Sequence, residues 1–378
     1  MNTALIRREP VVNRQKAITA SRLIVHAASA AEATAALGEL TPLWPQARSV
    51  FVGIAGVAPD LSLLAWQAPE NAMLEIPAAD LGKPEVRELA SELTARGVPL
   101  CLDGYAPGMT LPADLPFRFL LADSRRHPQL NDAPGLALAE GLADQPAFTR
   151  AMNAGYSGAT GWFFLHGLPV VDKLNPGHAQ IVRILNLVRR NAETKEIEAA
   201  LKQDVTLSYR LLRYINSAGF GLSCEIESFR HAVAILGYDK LNKWLSLLLV
   251  TASRDPSAPA LMQTAIARGR FMEIIGQSFF DKAKLDNLFI TGAFSLLDVL
   301  LGTRIDAVLD QMNLPEAVTE ALLRREGIFG PFLDLALAYE NDTVEVVLAK
   351  ATALGLSTTL LNHAQLEALA FADAVQLN

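Results

Sequence analysis

Three acidic residues stand where they could do chemistry. Glu75 lies in Ala72-Met73-Leu74-Glu75-Ile76, Asp103 closes Leu100-Cys101-Leu102-Asp103, and Glu140 closes Leu138-Ala139-Glu140. Each short apolar run reads as a buried strand, so the acids stand at or near strand ends. Carboxylates that converge can hold a divalent cation through their oxygens. The same acids held apart are simply hydrated or hydrogen-bonded. Histidine adds nothing to the set. His26, His127 and His166 share no ligand spacing, and His178, His231 and His363 are scattered singly through the second half.

The elements that must position these acids alternate. Residues 18–25, 49–54, 72–76, 98–102, 117–121 and 136–139 have strand character, and 30–40, 84–96 and 146–154 have helical character. Alternating strands and helices imply parallel strands with crossovers, hence an α/β sheet or barrel. Asp144 can cap the last of these helices, with Pro146 in its first turn, where a missing N–H costs nothing.

Gly167, Pro169 and Pro176 then interrupt any regular element, which gives a boundary: an α/β domain over 1–168, a short stiff hinge over 169–176, and a helical domain over 177–378. In the second half Ile181, Ile184, Leu185 and Val188 mark one apolar helix face. Leu207, Leu211, Leu212 and Ile215 mark another, ended by Asn216, Ser217 and Gly219. Ser228 is a plausible N-cap for the following helix and Gly237 a plausible stop. Further helical patterns run to 371, and short connections between them imply an antiparallel bundle.

The bulk properties exclude several classes. The 378 residues are 51% hydrophobic and 19% charged, a globular composition with room for two cores. A net charge of −7 opposes binding to nucleic acid, which relies on basic residues to neutralise phosphates. The pairs Arg125-Arg126, Arg189-Arg190 and Arg324-Arg325 read as solvated surface. Two cysteines, Cys101 and Cys224, fall in different domains and imply neither a disulfide framework nor zinc spacing. The start has no apolar signal core, and the longest apolar run, 244–250, is far short of the ~20 residues that cross a bilayer. A cytoplasmic protein with no membrane segment is the expectation.

The stretch LLRYINSAGFG, with the Ile-x-Ser and AVAILG that follow it, resembles the HDOD domain, a relative of the HD-GYP phosphodiesterases. The first half resembles the EAL domain, the barrel that hydrolyses cyclic di-GMP. The opening RREPVVNR, the segments around Glu75 and Asp103, LAEGLAD and the run from Gly155 to Phe164 carry that resemblance, in order. It implies two divalent cations on a cluster of oxygen ligands. It also implies that most ligands are replaced. The Glu of the EAL tripeptide falls on Ser21, the Asn ligand on Gly53, the second aspartate on Gly104, the second Glu on Ala143 and the Gln on Thr160. The catalytic Lys falls at Leu120 or Leu121, and the phosphate-binding Arg on Val25. Glu75, Asp103 and Glu140 are the acids that stay. In the second half, the His-Asp pair that binds metal in catalytic relatives falls on Ser295 and Leu296.

The expected architecture is therefore an EAL-like β/α barrel, incomplete or shortened, followed by an all-α HDOD bundle. A full barrel takes about 250 residues, and residues 124–134, with two prolines, offer no helix where one is due. The expected function is a non-catalytic signalling scaffold, a degenerate phosphodiesterase without metal or other cofactor. Its partners would be other signalling proteins, self-association is left open, and cyclic di-GMP binding is unlikely. Two alternatives are a sensor that binds cyclic di-GMP or another nucleotide without hydrolysis, and a residual metal-dependent phosphodiesterase using Glu75, Asp103 and Glu140.

Overall fold

Eight strands form in the first half because apolar side chains alternate there with residues of the opposite face, and the strands close on one another. In the computed structural model residues 4–130, 132–166, 176–201, 203, 229–250 and 258–375 are described. The strands are β1 Leu5–Asn13, β2 Ile18–His26, β3 Ser49–Ala55, β4 Ala72–Pro77, β5 Leu100–Asp103, β6 Phe117–Asp123, β7 Leu136–Glu140 and β8 Gly158–Thr160. From β2 to β8 neighbours are parallel, and β1 runs antiparallel to both β2 and β8.

The barrel is closed, which corrects the expectation of an incomplete one. It is shortened in its helices instead. Among the described residues of the barrel, full α-helices are α1 Ala30–Leu40, α2 Pro84–Ala95 and α3 Gln145–Asn153, and the connection between β6 and β7 has none. Closure depends on β1 and β8, which hydropathy alone does not mark as strands. The β1–β2 hairpin is set by Asn13. Its Oδ1 accepts from the N–H groups of Gln15 and Ala17, both at 3.0 Å, and Lys16 turns the chain at φ 62°. Asp144 caps α3 as expected, accepting from the N–H of Ala147 at 2.7 Å.

Val11, Ala20, Phe51, Met73, Cys101, Leu121 and Leu138, one from each of seven strands, form a buried apolar cluster, with Phe119 packed against it. A period of two puts Glu9, Arg22, Gly53, Glu75, Asp103, Asp123 and Glu140 on the same strand faces, one layer nearer the C-terminal ends of the parallel strands. The apolar layer is the floor beneath that polar mouth.

The chain divides into two compact units, residues 1–167 with 338–370, and residues 168–337 with 371–378. The second unit carries α4 Pro176–Arg189, α5 Thr194–Leu201, α6 Phe229–Val250, α7 Ala258–Ile275, α8 Lys282–Phe294, α9 Leu297–Leu301, α10 Ile305–Leu309 and α11 Glu316–Arg324, and most of α12 Gly330–Asn341. Within α6, Gly237 breaks the helical path at φ 72° and ψ 173°, the position the sequence marks as a stop. Helices α7 and α8 cross at glycines. A Cβ on Gly292 would stand 2.7 Å from the Cα of Gly269 and 2.9 Å from the carbonyl of Arg268. Residues 204–228, which carry the first helix of the HDOD-like stretch and Cys224, lie outside the described residues, as does the hinge up to 175.

The first unit is completed by α13 Val344–Ala353 and the greater part of α14 Thr358–Ala374. Helical periodicity alone groups these residues with the rest of 177–378. Buried Asn362 explains their place. Its Oδ1 accepts from the N–H of Ile6 at 2.8 Å and its Nδ2 donates to the carbonyl of Ala4 at 2.9 Å. Arg7 Nη2 donates to the carbonyl of Tyr339 at 2.8 Å. No single helix among the described residues is long and apolar enough to cross a membrane.

Candidate functional site

Arg22 is the centre of the barrel mouth. Strand β2 holds no acid to pair with it, so its side chain enters the barrel only because acids from other strands meet it there. Nε donates to Glu75 Oε1 and Nη2 to Glu75 Oε2, both at 2.7 Å, and Nη1 donates to Glu140 Oε1 at 2.5 Å. Nη2 also stands 3.8 Å from Asp103 Oδ1, and Nη1 stands 3.6 Å from Glu9 Oε2. The Arg22 and Glu75 side chains are 9% and 3% exposed. A planar guanidinium suits this arrangement, since its fork matches one carboxylate while a further N–H reaches a second.

Gly53 makes the room. A Cβ there would stand 2.4 Å from Glu75 Oε2, so any other residue displaces that carboxylate. Gly104, at φ 82°, turns the chain left-handed straight after Asp103 and donates its N–H to the carbonyl of Leu121 at 3.1 Å.

One guanidinium faces four carboxylates, and the protons adjust accordingly. Burial opposes the charge on Arg22, yet Glu75, Glu140 and Glu9 together hold its pKa well above the ordinary value. Burial pushes the Glu75 carboxyl up, and the two bonds from Arg22 pull it back. Glu140 has one bond rather than two. Burial pushes it up to about 7, Arg22 opposes this, and the charges of Asp103 and Glu75 add to it. Cys101 lies below, fully buried, with its thiol pushed up first by burial and then by Glu75, so it is no nucleophile.

The structure thus brings Glu75, Asp103 and Glu140 together around Arg22. It adds Arg22 and Glu9, which the sequence reading did not single out. A signal was present: an arginine in the middle of Ile18–His26, a strand with no other Lys, Arg, Asp or Glu, needs buried partners. Ser21 is buried one residue before Arg22. Successive side chains alternate across a strand, so with Arg22 facing the acids Ser21 points to the other face. Thr160 is buried on β8, paired with Val11 of β1. In the second unit Ser295 ends α8, its hydroxyl donating to the carbonyl of Gly292 at 2.6 Å and accepting from Arg268 Nη1. Leu296 beside it is buried.

The residues of the mouth do not fit the two divalent cations that the EAL resemblance implies. The oxygens that would ligate them are bonded to the guanidinium, which fills the space between Glu75 and Glu140. Among the described residues no group of three or more His, Cys, Asp or Glu side chains is disposed to hold a metal ion.

Residues 176–300 match the HDOD domain. The chain is 32% identical over 208 residues to the cyclic di-GMP phosphodiesterase CdgJ of Vibrio cholerae, covering 54% of this chain and 48% of that one. It is 23% identical over 210 residues to the uncharacterized protein YuxH of Bacillus subtilis, covering 54% of this chain and 51% of that one. The chain therefore spans about half the length of these relatives. Among solved structures, the FimX EAL domain of Pseudomonas aeruginosa bound to c-di-GMP is similar at a TM-score of 0.31 and 15% identity, covering 44% of this chain and 90% of that one. An HDOD domain protein of unknown function from Geobacter sulfurreducens is similar at a TM-score of 0.33 and 16% identity, covering 50% and 88%.

The relationship to CdgJ overturns three expectations drawn from missing motif residues. A non-catalytic scaffold, a chain that is no enzyme, and a chain for which cyclic di-GMP is an unlikely ligand all sit poorly with 32% identity to a protein named for hydrolysing that nucleotide. A count of metal ligands leaves out the charge that replaces them, which here is the guanidinium of Arg22.

Proposed function

We propose that this chain, whose residues 176–300 are an HDOD domain, binds cyclic di-GMP at the mouth of an EAL-like barrel over 1–168 and hydrolyses one of its phosphodiesters. The substrate class rests on the relationship to CdgJ. The observation that carries the site is the pairing of Arg22 Nη1 with Glu140 Oε1 at the C-terminal ends of the parallel strands, where barrels of this kind place their chemistry.

The two residues supply different things. Guanidinium has five N–H donors, and three of them are bonded to Glu75 and Glu140. Among the described residues, the other two have the longer contacts to Asp103 and Glu9, which a phosphate oxygen can displace. Glu140, titrating at about 7, can both take and give a proton at neutral pH. As the oxygen of a water bonds to phosphorus, Glu140 takes its proton and the phosphorus–oxygen bond to one sugar breaks. The proton then passes to that sugar oxygen, giving the linear dinucleotide.

Chromatography of cyclic di-GMP incubated with the purified chain tests this. Linear dinucleotide should form, and Glu140→Gln should slow its formation by about 10²-fold or more. No product, together with no heat of binding in calorimetry, would overturn the proposal.

A further inference from the structure

We infer that Arg22 is a built-in cation that keeps divalent metal ions out of the barrel mouth, and that the carboxylates around it become a site for a hard divalent cation once that charge is removed. The inference rests on the geometry alone and stands whether or not cyclic di-GMP is the substrate.

Four acids reach one point from four strands: Glu9 from β1, Glu75 from β4, Asp103 from β5 and Glu140 from β7. So many carboxylates do not gather in a barrel without a positive charge to hold them, because like charges at this spacing repel strongly. Arg22 supplies that charge with the directness of a ligated ion, three hydrogen bonds of 2.7 Å or less to two acids. Gly53 leaves its Cβ space to Glu75 Oε2, so the cradle is shaped around the carboxylate that grips Arg22 from two sides. Removing the guanidinium leaves oxygen ligands on several strands, an uncompensated negative charge, and a cavity the size of the lost head group. Oxygen-only donor sets select ions such as Mg²⁺ and Mn²⁺.

Electron paramagnetic resonance of Mn²⁺ with the full chain provides the test, because the sharp signal of the free ion disappears on binding. The wild-type chain should leave that signal intact, and its thermal melting should not respond to Mn²⁺ or to a chelator. Arg22→Gln should bind Mn²⁺ at least about tenfold more tightly than wild type. The further change Glu75→Gln should abolish that gain. Arg22→Lys keeps a positive charge and should behave as wild type. If Arg22→Gln is too unstable to titrate directly, Mn²⁺ should raise its melting temperature and added guanidinium ion should compete with that effect. Stoichiometric binding of Mn²⁺ by the wild type would overturn the inference, and so would an Arg22→Gln protein that neither binds Mn²⁺ nor is stabilised by it.

Discussion

Arg22 and Glu75 meet through two parallel hydrogen bonds of 2.7 Å, from side chains that are almost wholly buried. A pair of this kind is costly to break from one side, because the remaining charge is left buried and alone. Arg22→Met should therefore destabilise the chain by about 3–5 kcal/mol. The double change Arg22→Met with Glu75→Met removes both charges and should recover much of that loss. Urea unfolding of the wild type and these two variants checks it, and a double variant less stable than Arg22→Met alone would contradict the account.

Glu140 makes stability depend on pH in an uncommon direction. Its folded value of about 7 lies above the ordinary 4.5, so between those two values the folded state binds more protons than the unfolded one. Stability then rises as pH falls across that window, and the penalty for ionising Glu140 is complete above it. The neighbours that set it are Arg22, Asp103 and Glu75. Thermal melts of wild type and Glu140→Gln between pH 8 and 5, about the range of the titration, should converge at the lower end and separate at the upper end, with the Gln variant the more stable there. Parallel curves would remove Glu140 as the source.

Gly53→Ala tests the cradle. The new methyl group would overlap Glu75 Oε2, so the carboxylate must turn and release at least one of its two bonds to Arg22. A loss of about 1–3 kcal/mol is expected, the usual range for forcing a group into filled space. Measured by urea unfolding, a change below about 0.5 kcal/mol, the usual scatter of surface substitutions, would show that Glu75 has other room.

Asn362 tests how the C-terminal helices belong to the barrel unit. Asn362→Leu leaves the Ile6 N–H and the Ala4 carbonyl without their side-chain partner. Losing these two buried hydrogen bonds should cost about 1–3 kcal/mol. Hydrogen exchange at the Ile6 amide should accelerate accordingly, and unchanged protection there would contradict the assignment.

Short stretches of sequence are enough to place the strands of the barrel that read as plain apolar runs, the cap at Asp144, the break at Gly237, the three acids at strand ends and the kinship of the helical half. Each of these is local, because periodicity, capping and turn chemistry act over a few neighbouring residues. The rest depends on pairing between distant parts of the chain. Closure came from β1 and β8, whose pairing partners lie about 150 residues apart and whose hydropathy patterns are weak. Which face of β2 looks inward rests on register, and a slip of one residue exchanges Ser21 for Arg22. The apolar faces of α13 and α14 say that they are buried but not against what. Asn362 reaching Ile6 across 356 positions settles that. Charge compensation is likewise a property of the assembled mouth, since four acids and one arginine on separate strands become a site only when the barrel brings them within hydrogen-bonding and ion-pair distance.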